Sequence, residues 1–188
     1  GKTDPQIVRE LMQFAGLTDE RIDADMERLL SRYVECLHEE LRAPGRRPYT
    51  LPGVPSLLDA LERHADVILG LLTGNLQEGA VAKLSAVGLD PSRFQVGAFG
   101  SDHELRSELP AVAQARAQLL MGVEIPGAQI VVIGDTPADL TCGRTLGTRA
   151  IGVATGRHSV EALARHDPLT VFENLNDTDA VVRAITGG

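Results

Sequence analysis

The chain has 188 residues, of which 43% are hydrophobic, and a formal net charge of -8. Its length suits one domain, or a core with a modest insertion, and its hydrophobic fraction allows a sizeable core. The negative charge and the absence of both tryptophan and a basic block argue against a nucleic-acid-binding surface. No apolar run approaches the roughly 20 residues of a membrane span, so we expect no membrane partner. Cys36 and Cys142 form no paired motif, and we interpret them as reduced thiols of a cytoplasmic protein.

The N-terminal quarter of the chain predicts helices. Asp4 and Pro5 are typical of an N-cap and a first helical residue, and a second, longer helical pattern covers residues 19–42. Glycines and prolines between residues 45 and 53 predict a linker. We therefore interpret residues 1–48 as a small helical unit.

Short apolar runs alternate with helical patterns over the rest of the chain, residues 49–188. The runs cover residues 67–72, 94–99, 129–133, 150–153 and 169–172, and the helical patterns cover residues 54–64, 76–87, 110–121, 137–146 and 177–185. This alternation predicts a parallel sheet with helices on both faces, and near-continuous apolar strands are expected when both faces are covered. The predicted fold class is α/β, a doubly wound, Rossmann-like parallel sheet with a small α-helical unit.

The first candidate binding loop follows the apolar run that ends at Leu72. Ligands of such sheets bind outside the carboxyl ends of the strands, and Thr73-Gly74-Asn75 lies there. A small hydroxyl, a glycine and an amide at the start of a helix suit a bound anion, because backbone N–H groups and the helix dipole face it. The alternative is a plain N-cap by Thr73 or Asn75.

Two carboxylates follow the central apolar run. It ends in Gly134-Asp135, and Asp139 comes four residues later. Mg²⁺ takes oxygen ligands and is usually held by one or two carboxylates and the phosphate of a substrate. Asp135, at the strand tip, is the candidate direct ligand, and Asp139 is the candidate water-mediated partner. The alternative is an acidic helix start, with Thr136 and Pro137 as N-cap and first helical residue.

A third candidate, Arg106, lies in the loop between the apolar run 94–99 and the helical pattern 110–121. Its positive charge would neutralise the carboxylates and a bound phosphate. A solvated loop arginine is the alternative. His103 is nearby but isolated, and we interpret it as loop surface.

The order and spacing of these motifs resemble those of the haloacid dehalogenase-like hydrolases, of the phosphoglycolate phosphatase-like kind with a small helical cap. The segment 73–75 matches the family's second motif, whose threonine binds the phosphoryl group. Arg106 falls where the third motif has a basic residue, usually lysine, although the usual Lys-Pro is absent. The segment 134–139 matches the fourth motif, which holds Mg²⁺. Residues 1–48 resemble most of the cap, and residues 152–156 resemble the last core strand and its loop.

The resemblance implies a Mg²⁺-dependent phosphatase that acts on small phosphomonoesters through an aspartyl-phosphate intermediate. The implied substrate-binding residues are Thr73, Gly74, Asn75 and Arg106, and the implied metal ligands are Asp135 and Asp139. Thr73 and Arg106, together with Mg²⁺, would offset the charge of the transferring phosphoryl group. The substrate would be a small phosphorylated metabolite, such as phosphoglycolate or a sugar phosphate. Which one is open, since the cap selects it, and so is the oligomeric state.

The family's first motif is absent from this chain. That motif is an apolar strand followed by Asp-x-Asp-Gly-x-Thr, and it carries the nucleophilic aspartate and the acid/base aspartate. The segment 23–25 has the Asp-x-Asp spacing but lies in a helical pattern, and the segment 177–179 is typical of a helix start. We therefore expect this chain to be part of a longer one and to be inactive alone. The missing strand would lie between those ending at Leu72 and Ile133, which leaves two unpaired edges.

Two other functions stay open from the sequence. One is a non-catalytic relative or fragment that binds a ligand or a partner chain. The other is a different doubly wound enzyme, such as a nucleotide-binding one, although neither Gly-x-Gly-x-x-Gly nor Gly-Lys-Ser/Thr follows a predicted strand. A dehalogenase is less attractive, because the carboxylate pair suits Mg²⁺, which phosphoryl transfer needs.

Overall fold

The computed structural model describes residues 1–45 and 48–187. Its helices are α1 (Asp4–Phe14), α2 (Asp19–Arg42), α3 (Val54–Leu61), α4 (Gln77–Ala86), α5 (Leu109–Met121), α6 (Pro137–Thr141), α7 (Val160–Ala164) and α8 (Thr178–Thr186). Its strands are β1 (Gly70–Leu72), β2 (Val96–Ala98), β3 (Val131–Gly134), β4 (Arg149–Val153) and β5 (Thr170–Phe172). The predicted linker includes residues 46 and 47, which lie outside the described residues. Within the described ranges, no helix combines the length and apolar character that crossing a membrane requires.

The first helix begins differently from the prediction. Thr3, not Asp4, is the N-cap of α1, and its Oγ1 accepts a hydrogen bond from the Gln6 N–H at 3.2 Å. Asp4 and Pro5 are therefore the first and second helical residues. The reason is tertiary, because Thr3 is fully buried and its hydroxyl also donates to the backbone oxygen of Glu104.

The strands form two parallel sheets. In one, β1 pairs with β2, with Gly70 opposite Val96. In the other, β4 lies between β3 and β5, with Ile133 opposite Ile151 and Ile151 opposite Thr170. Among the described residues, β1 and β3 are not paired with each other. Each of these two strands therefore has a free edge.

Helices cover both faces of the sheet formed by β3, β4 and β5. On one face, α6 and α7 pack against Ala150 and Val171. On the other face, α3 and α8 pack against Val153 and Phe172, and Leu69, directly before β1, lies in the same cluster. Successive strand residues point to opposite faces, so the apolar runs serve two cores at once. The predicted α/β class with a doubly wound parallel sheet is confirmed.

Two elements after β3 differ from the prediction. The helical pattern 137–146 breaks at Thr141, and the chain continues as one 3-10 turn over residues 144–146. Gly147 then ends the turn in the left-handed region, with φ 71°, a conformation that glycine adopts without steric cost. The helix α7 was not predicted, because five residues are too few for a periodic signal. Its start is capped by Ser159, whose Oγ accepts from the Ala162 N–H at 3.3 Å.

Candidate phosphate and magnesium site

The segment Thr73–Leu76, here called the β1 loop, leads from β1 into α4. The Thr73 N–H donates to the Ala98 carbonyl at 2.9 Å and so extends the ladder between β1 and β2. Thr73 Oγ1 accepts from the Asn75 side-chain amide at 2.7 Å and from the Asn75 backbone N–H at 3.2 Å. A Cβ on Gly74 would lie 2.3 Å from the Lys2 carbonyl oxygen. Only glycine therefore allows this close approach of two backbones.

The N-terminus of α4 holds a carboxylate from the first helix. The Leu76 N–H donates to Asp4 Oδ2 at 2.9 Å, and the Asp4 N–H donates to the Gly74 carbonyl at 2.7 Å. The plain N-cap alternative is wrong for Thr73 and for Asn75, since Leu76 occupies the N-cap position and makes no side-chain cap bond. The carboxylate of Asp4 shows that this helix end attracts negative charge.

Asp135 lies directly after β3 and is half-buried. In the described part of the chain, nothing hydrogen-bonds its carboxylate or forms an ion pair with it. The loop after β4 packs against it so closely that a Cβ on Gly156 would lie 2.1 Å from Asp135 Oδ2. A cavity of about 220 Å³ opens beside Asp135, and its lining includes Leu51, Pro52, Ile133, Thr155 and Leu175. Among the described residues, the Asp135 carboxylate therefore has no hydrogen-bond or ion-pair partner, and it borders a space that a ligand can enter.

Asp139 is committed to partners inside the protein. Its Oδ2 accepts from the Thr136 N–H at 3.0 Å and from the Thr136 hydroxyl at 2.8 Å, which closes a capping box at the start of α6. Its Oδ1 lies 2.5 Å from Arg106 Nη2, in a pair whose side chains are only 8% and 14% exposed. The acidic-helix-start alternative therefore describes Asp139 well and does not account for Asp135.

Arg106 is not a solvated loop arginine. Besides its ion pair with Asp139, its Nε is buried and finds no hydrogen-bond partner within the described residues. Buried donors are nearly always satisfied, so this N–H, like the equally unpartnered Nε of Arg149, can still donate to a bound group. His103, by contrast, is exposed, and its Nδ1 accepts from the Leu105 N–H at 3.0 Å.

Residues 1–4 connect the two strand ends. Near β3, the Gly1 nitrogen donates to Thr136 Oγ1 at 2.9 Å, and a Cβ on Gly1 would lie 3.9 Å from Arg106 atoms. Near β1, Asp4 contacts Gly74 and Leu76 as described above. The predicted site residues after β1 and after β3 thus share one four-residue segment as a common neighbour.

The carboxylates after β3 fit Mg²⁺ if the ion is held by few protein ligands. The described residues contain no group of three or more His, Cys, Asp or Glu side chains that would enclose a metal ion. Mg²⁺ does not require one, because it keeps several waters and is usually bound by one or two carboxylates and a phosphate. Asp135 offers an uncommitted carboxylate for direct contact, whereas Asp139, held by Arg106 and Thr136, suits a position behind it.

Sequence reasoning missed two side chains beside the β1 loop. Lys83, on α4, contacts the Asn75 side-chain oxygen, and its Nζ lies 3.4 Å from the Tyr33 hydroxyl on α2. Both are half-buried. Lys83 lies eight positions after Asn75, and Tyr33 belongs to the apolar face of a distant helix. The packing of α2 on α4, which no local pattern reveals, brings them together.

Tyr33 provides a pH-dependent test of its own burial near α1. Burial and the neighbouring Asp4 carboxylate raise the pKa of Tyr33 from 10.0 to about 12. Because the unfolded chain loses this proton first, the stabilising contribution of Tyr33 is complete below pH 10 and is lost as the pH rises towards 12. We expect the difference in phenolate absorbance between wild type and Tyr33→Phe to titrate with a midpoint near 12. A midpoint at the ordinary tyrosine value would contradict the burial of Tyr33 near the Asp4 carboxylate.

The other aspartate pairs lie in ordinary structural roles. Asp23 and Asp25 are on α2, where Asp23 pairs with Arg9 at 2.7 Å and Asp25 pairs with neighbouring arginines of its own helix. Asp177 caps α8 through its Oδ1, which accepts from the Ala180 N–H at 3.1 Å. Neither pair comes directly after a strand, in agreement with the sequence-based interpretation of both.

Comparison with known proteins supports the family resemblance. Residues 109–178 match the model of the HAD-hydrolase-like family. This stretch includes the β3 strand, Asp135 and Asp139. No curated protein matches the chain in sequence. The predicted resemblance to haloacid dehalogenase-like hydrolases is confirmed over residues 109–178.

Solved structures share the fold at low sequence identity. A hydrolase from Pseudomonas syringae is 21% identical, with a TM-score of 0.69, over 98% of this chain and 80% of that one. A predicted phosphoglycolate phosphatase from Haemophilus somnus is 21% identical, with a TM-score of 0.65, over 93% and 73%. CbbY from Rhodobacter sphaeroides, in complex with xylulose-1,5-bisphosphate, is 18% identical, with a TM-score of 0.63, over 82% and 64%.

Proposed function

We propose that this chain, whose family-model match and fold are those of the haloacid dehalogenase-like hydrolases, forms the metal- and phosphate-holding part of a Mg²⁺-dependent phosphatase of small phosphomonoesters. The observation that carries the proposal is the buried Arg106–Asp139 ion pair beside the uncommitted Asp135. Residues 1–4 link this group to the β1 loop. Positive charge, a free carboxylate and the Thr73 hydroxyl are the complementary groups for a phosphate and its cation.

Each residue has a distinct role in the proposal. Mg²⁺, when bound, would offset charge on the phosphoryl oxygens. Asp135 would hold it directly, and Asp139 would keep Arg106 and the loop after β3 in place. Arg106 would present its unpaired Nε N–H to the phosphoryl group. Thr73 and the backbone of Gly74 would bind the same group from the other side.

The substrate class is a small phosphorylated metabolite, and the site of action is the cytoplasm. The fold relative in complex with xylulose-1,5-bisphosphate supports the first statement. The two cysteines are free thiols, Cys36 exposed and Cys142 buried, which suits a reducing compartment. The helices α1 and α2 would form the cap, in line with the proposed division at residue 48.

The covalent step needs a nucleophile that the described site does not contain. A phosphatase of this kind would form an aspartyl-phosphate and hydrolyse it. The carboxylates after β3 are assigned to metal and to Arg106, and Asp4 is held by the Leu76 N–H. We therefore propose that this chain binds phosphate and Mg²⁺ but does not turn substrate over by itself.

The turnover assay is direct. With p-nitrophenyl phosphate and Mg²⁺, this chain is expected to release p-nitrophenol no faster than buffer. Mg²⁺-dependent release that disappears in Asp135→Ala would show that the chain holds its own nucleophile. The alternative function, a non-catalytic ligand-binding relative, also predicts no release of p-nitrophenol. It does not require that phosphate binding depend on Mg²⁺.

A further inference from the structure

Lys83 occupies an unusual position for a lysine, half-buried beside the β1 loop. The chain has only two lysines, Lys2 and Lys83. Lys2 pairs with Glu10 and is about half-exposed. Lys83 contacts no carboxylate in the described part of the chain. It directs its ammonium group to the side-chain oxygen of Asn75 and to the hydroxyl of Tyr33. A half-buried charge directed at an amide constrains the orientation of this amide.

The contact with Lys83 determines which way the Asn75 amide faces. An ammonium group has only donors, so it pairs with the amide oxygen and not with the NH₂ group. With the oxygen turned to Lys83, the Asn75 NH₂ faces Thr73, and its Nδ2 lies 2.7 Å from Thr73 Oγ1. The reverse orientation would place two sets of donors against each other.

The orientation of Asn75 in turn decides what Thr73 offers to a ligand. A threonine hydroxyl has two acceptor positions and one O–H donor. Both acceptor positions of Thr73 Oγ1 are taken by N–H groups of Asn75, at 2.7 Å and 3.2 Å. The remaining O–H can only donate. Thr73 is therefore set as a donor at the carboxyl end of β1, ready for an anionic oxygen.

We propose that Lys83 is a positioning residue that acts through Asn75 to hold the Thr73 hydroxyl as a phosphate donor. This inference rests on the proposed function, because it names how the β1 loop is prepared for the phosphoryl group. Lys83 itself need not touch the phosphate. Its loss would free the Asn75 amide to turn, and the Thr73 hydroxyl would then donate its proton inside the loop.

The test is a thermodynamic cycle read by isothermal titration with inorganic phosphate in the presence of Mg²⁺. Lys83→Met keeps the length and the apolar stem and is expected to weaken phosphate binding about tenfold, the scale of one lost hydrogen bond to a charged group. Lys83→Arg keeps a donor and is expected to stay within about threefold of wild type. Arg63→Met removes one positive charge from an exposed side chain after α3 and should leave binding unchanged.

The cycle with Thr73→Val separates positioning from direct attraction. If Lys83 acts through Thr73, Lys83→Met has no further effect in the Thr73→Val background. An undiminished tenfold loss in that background would overturn the proposal, as would Lys83→Arg binding as weakly as Lys83→Met.

A measurement without phosphate keeps the two proposals distinguishable. The side-chain amide signals of Asn75 in a ¹⁵N–¹H spectrum are expected to shift in Lys83→Met and to keep their wild-type positions in Arg63→Met. Unchanged Asn75 signals in Lys83→Met would refute the relay. If wild type bound no phosphate, the proposed function would fail, and these signals would still decide the role of Lys83.

Discussion

Replacing Asp135 with asparagine is expected to weaken Mg²⁺ binding at least about 100-fold, because even groups that merely support metal ligands typically contribute 10–100-fold. The same change should leave the free energy of unfolding equal or slightly higher. The reason is that the Asp135 carboxylate is half-buried without a hydrogen bond or ion pair among the described residues, an arrangement that costs stability. Calorimetric titration with Mg²⁺ and urea unfolding measure the two quantities separately.

The matched control is Asp66→Asn, which removes an exposed carboxylate between α3 and β1. It should change neither Mg²⁺ affinity nor stability. If Asp135→Asn kept wild-type Mg²⁺ affinity, or if Asp66→Asn lost it equally, the assignment of Asp135 as the metal ligand would be wrong. A large loss of stability in Asp135→Asn would instead point to a structural role for this side chain.

Replacing Arg106 with methionine should cost about 3 kcal/mol in free energy of unfolding, because it leaves the buried Asp139 carboxylate without its cation. The pair is 2.5 Å apart and is 14% and 8% exposed, so water compensates little. Urea denaturation of the variant measures this loss. Arg106 also carries the unpaired Nε donor. In buffer without urea, the folded variant should therefore bind phosphate more weakly than wild type does.

Two further variants check the cause of that loss. Arg106→Met combined with Asp139→Asn should recover more than half of the stability, because the buried charge is gone while the new amide oxygen can still accept hydrogen bonds from Thr136. Arg32→Met removes an arginine that is 62% exposed in its pair with Glu35 and should leave the free energy of unfolding nearly unchanged. A double variant as unstable as Arg106→Met alone would exclude the ion pair as the source.

Much of the fold was predictable because its signals are local. The helix α2 spans residues 19–42 as its apolar periodicity predicts, and each predicted strand overlaps an observed one. Except for β4, the strands are shorter than the apolar runs. The run 67–72, for example, is a strand only over Gly70–Leu72, since β2 offers three residues to pair with. Pairing depends on the partner, which a single run of residues does not reveal.

The positions of individual residues in the candidate site were predictable from the sequence, but the contacts between the elements that carry them were not. The position of Asp135 after a buried strand follows from the apolar run before it, and Thr136 and Pro137 are the N-cap and first residue of α6, as in the alternative that the sequence offered. The contacts of Asp4 with Leu76 and of Lys83 with Asn75 depend on how α1 and α2 pack on α4. The sequence predicts Asp4 as the N-cap of α1, because its local sequence is typical of one. In the structure its carboxylate instead accepts a hydrogen bond at the N-terminus of α4.

Calorimetric titration of the wild-type chain with inorganic phosphate, with and without Mg²⁺, tests most directly whether one site holds both ligands. If it does, each ligand must strengthen the binding of the other by the same factor. We expect phosphate to bind at least about tenfold more tightly with Mg²⁺, and Mg²⁺ to gain the same factor when phosphate is present. Phosphate affinity that is independent of Mg²⁺, or no phosphate binding at all, would contradict a joint phosphate and magnesium site at the ends of β1 and β3.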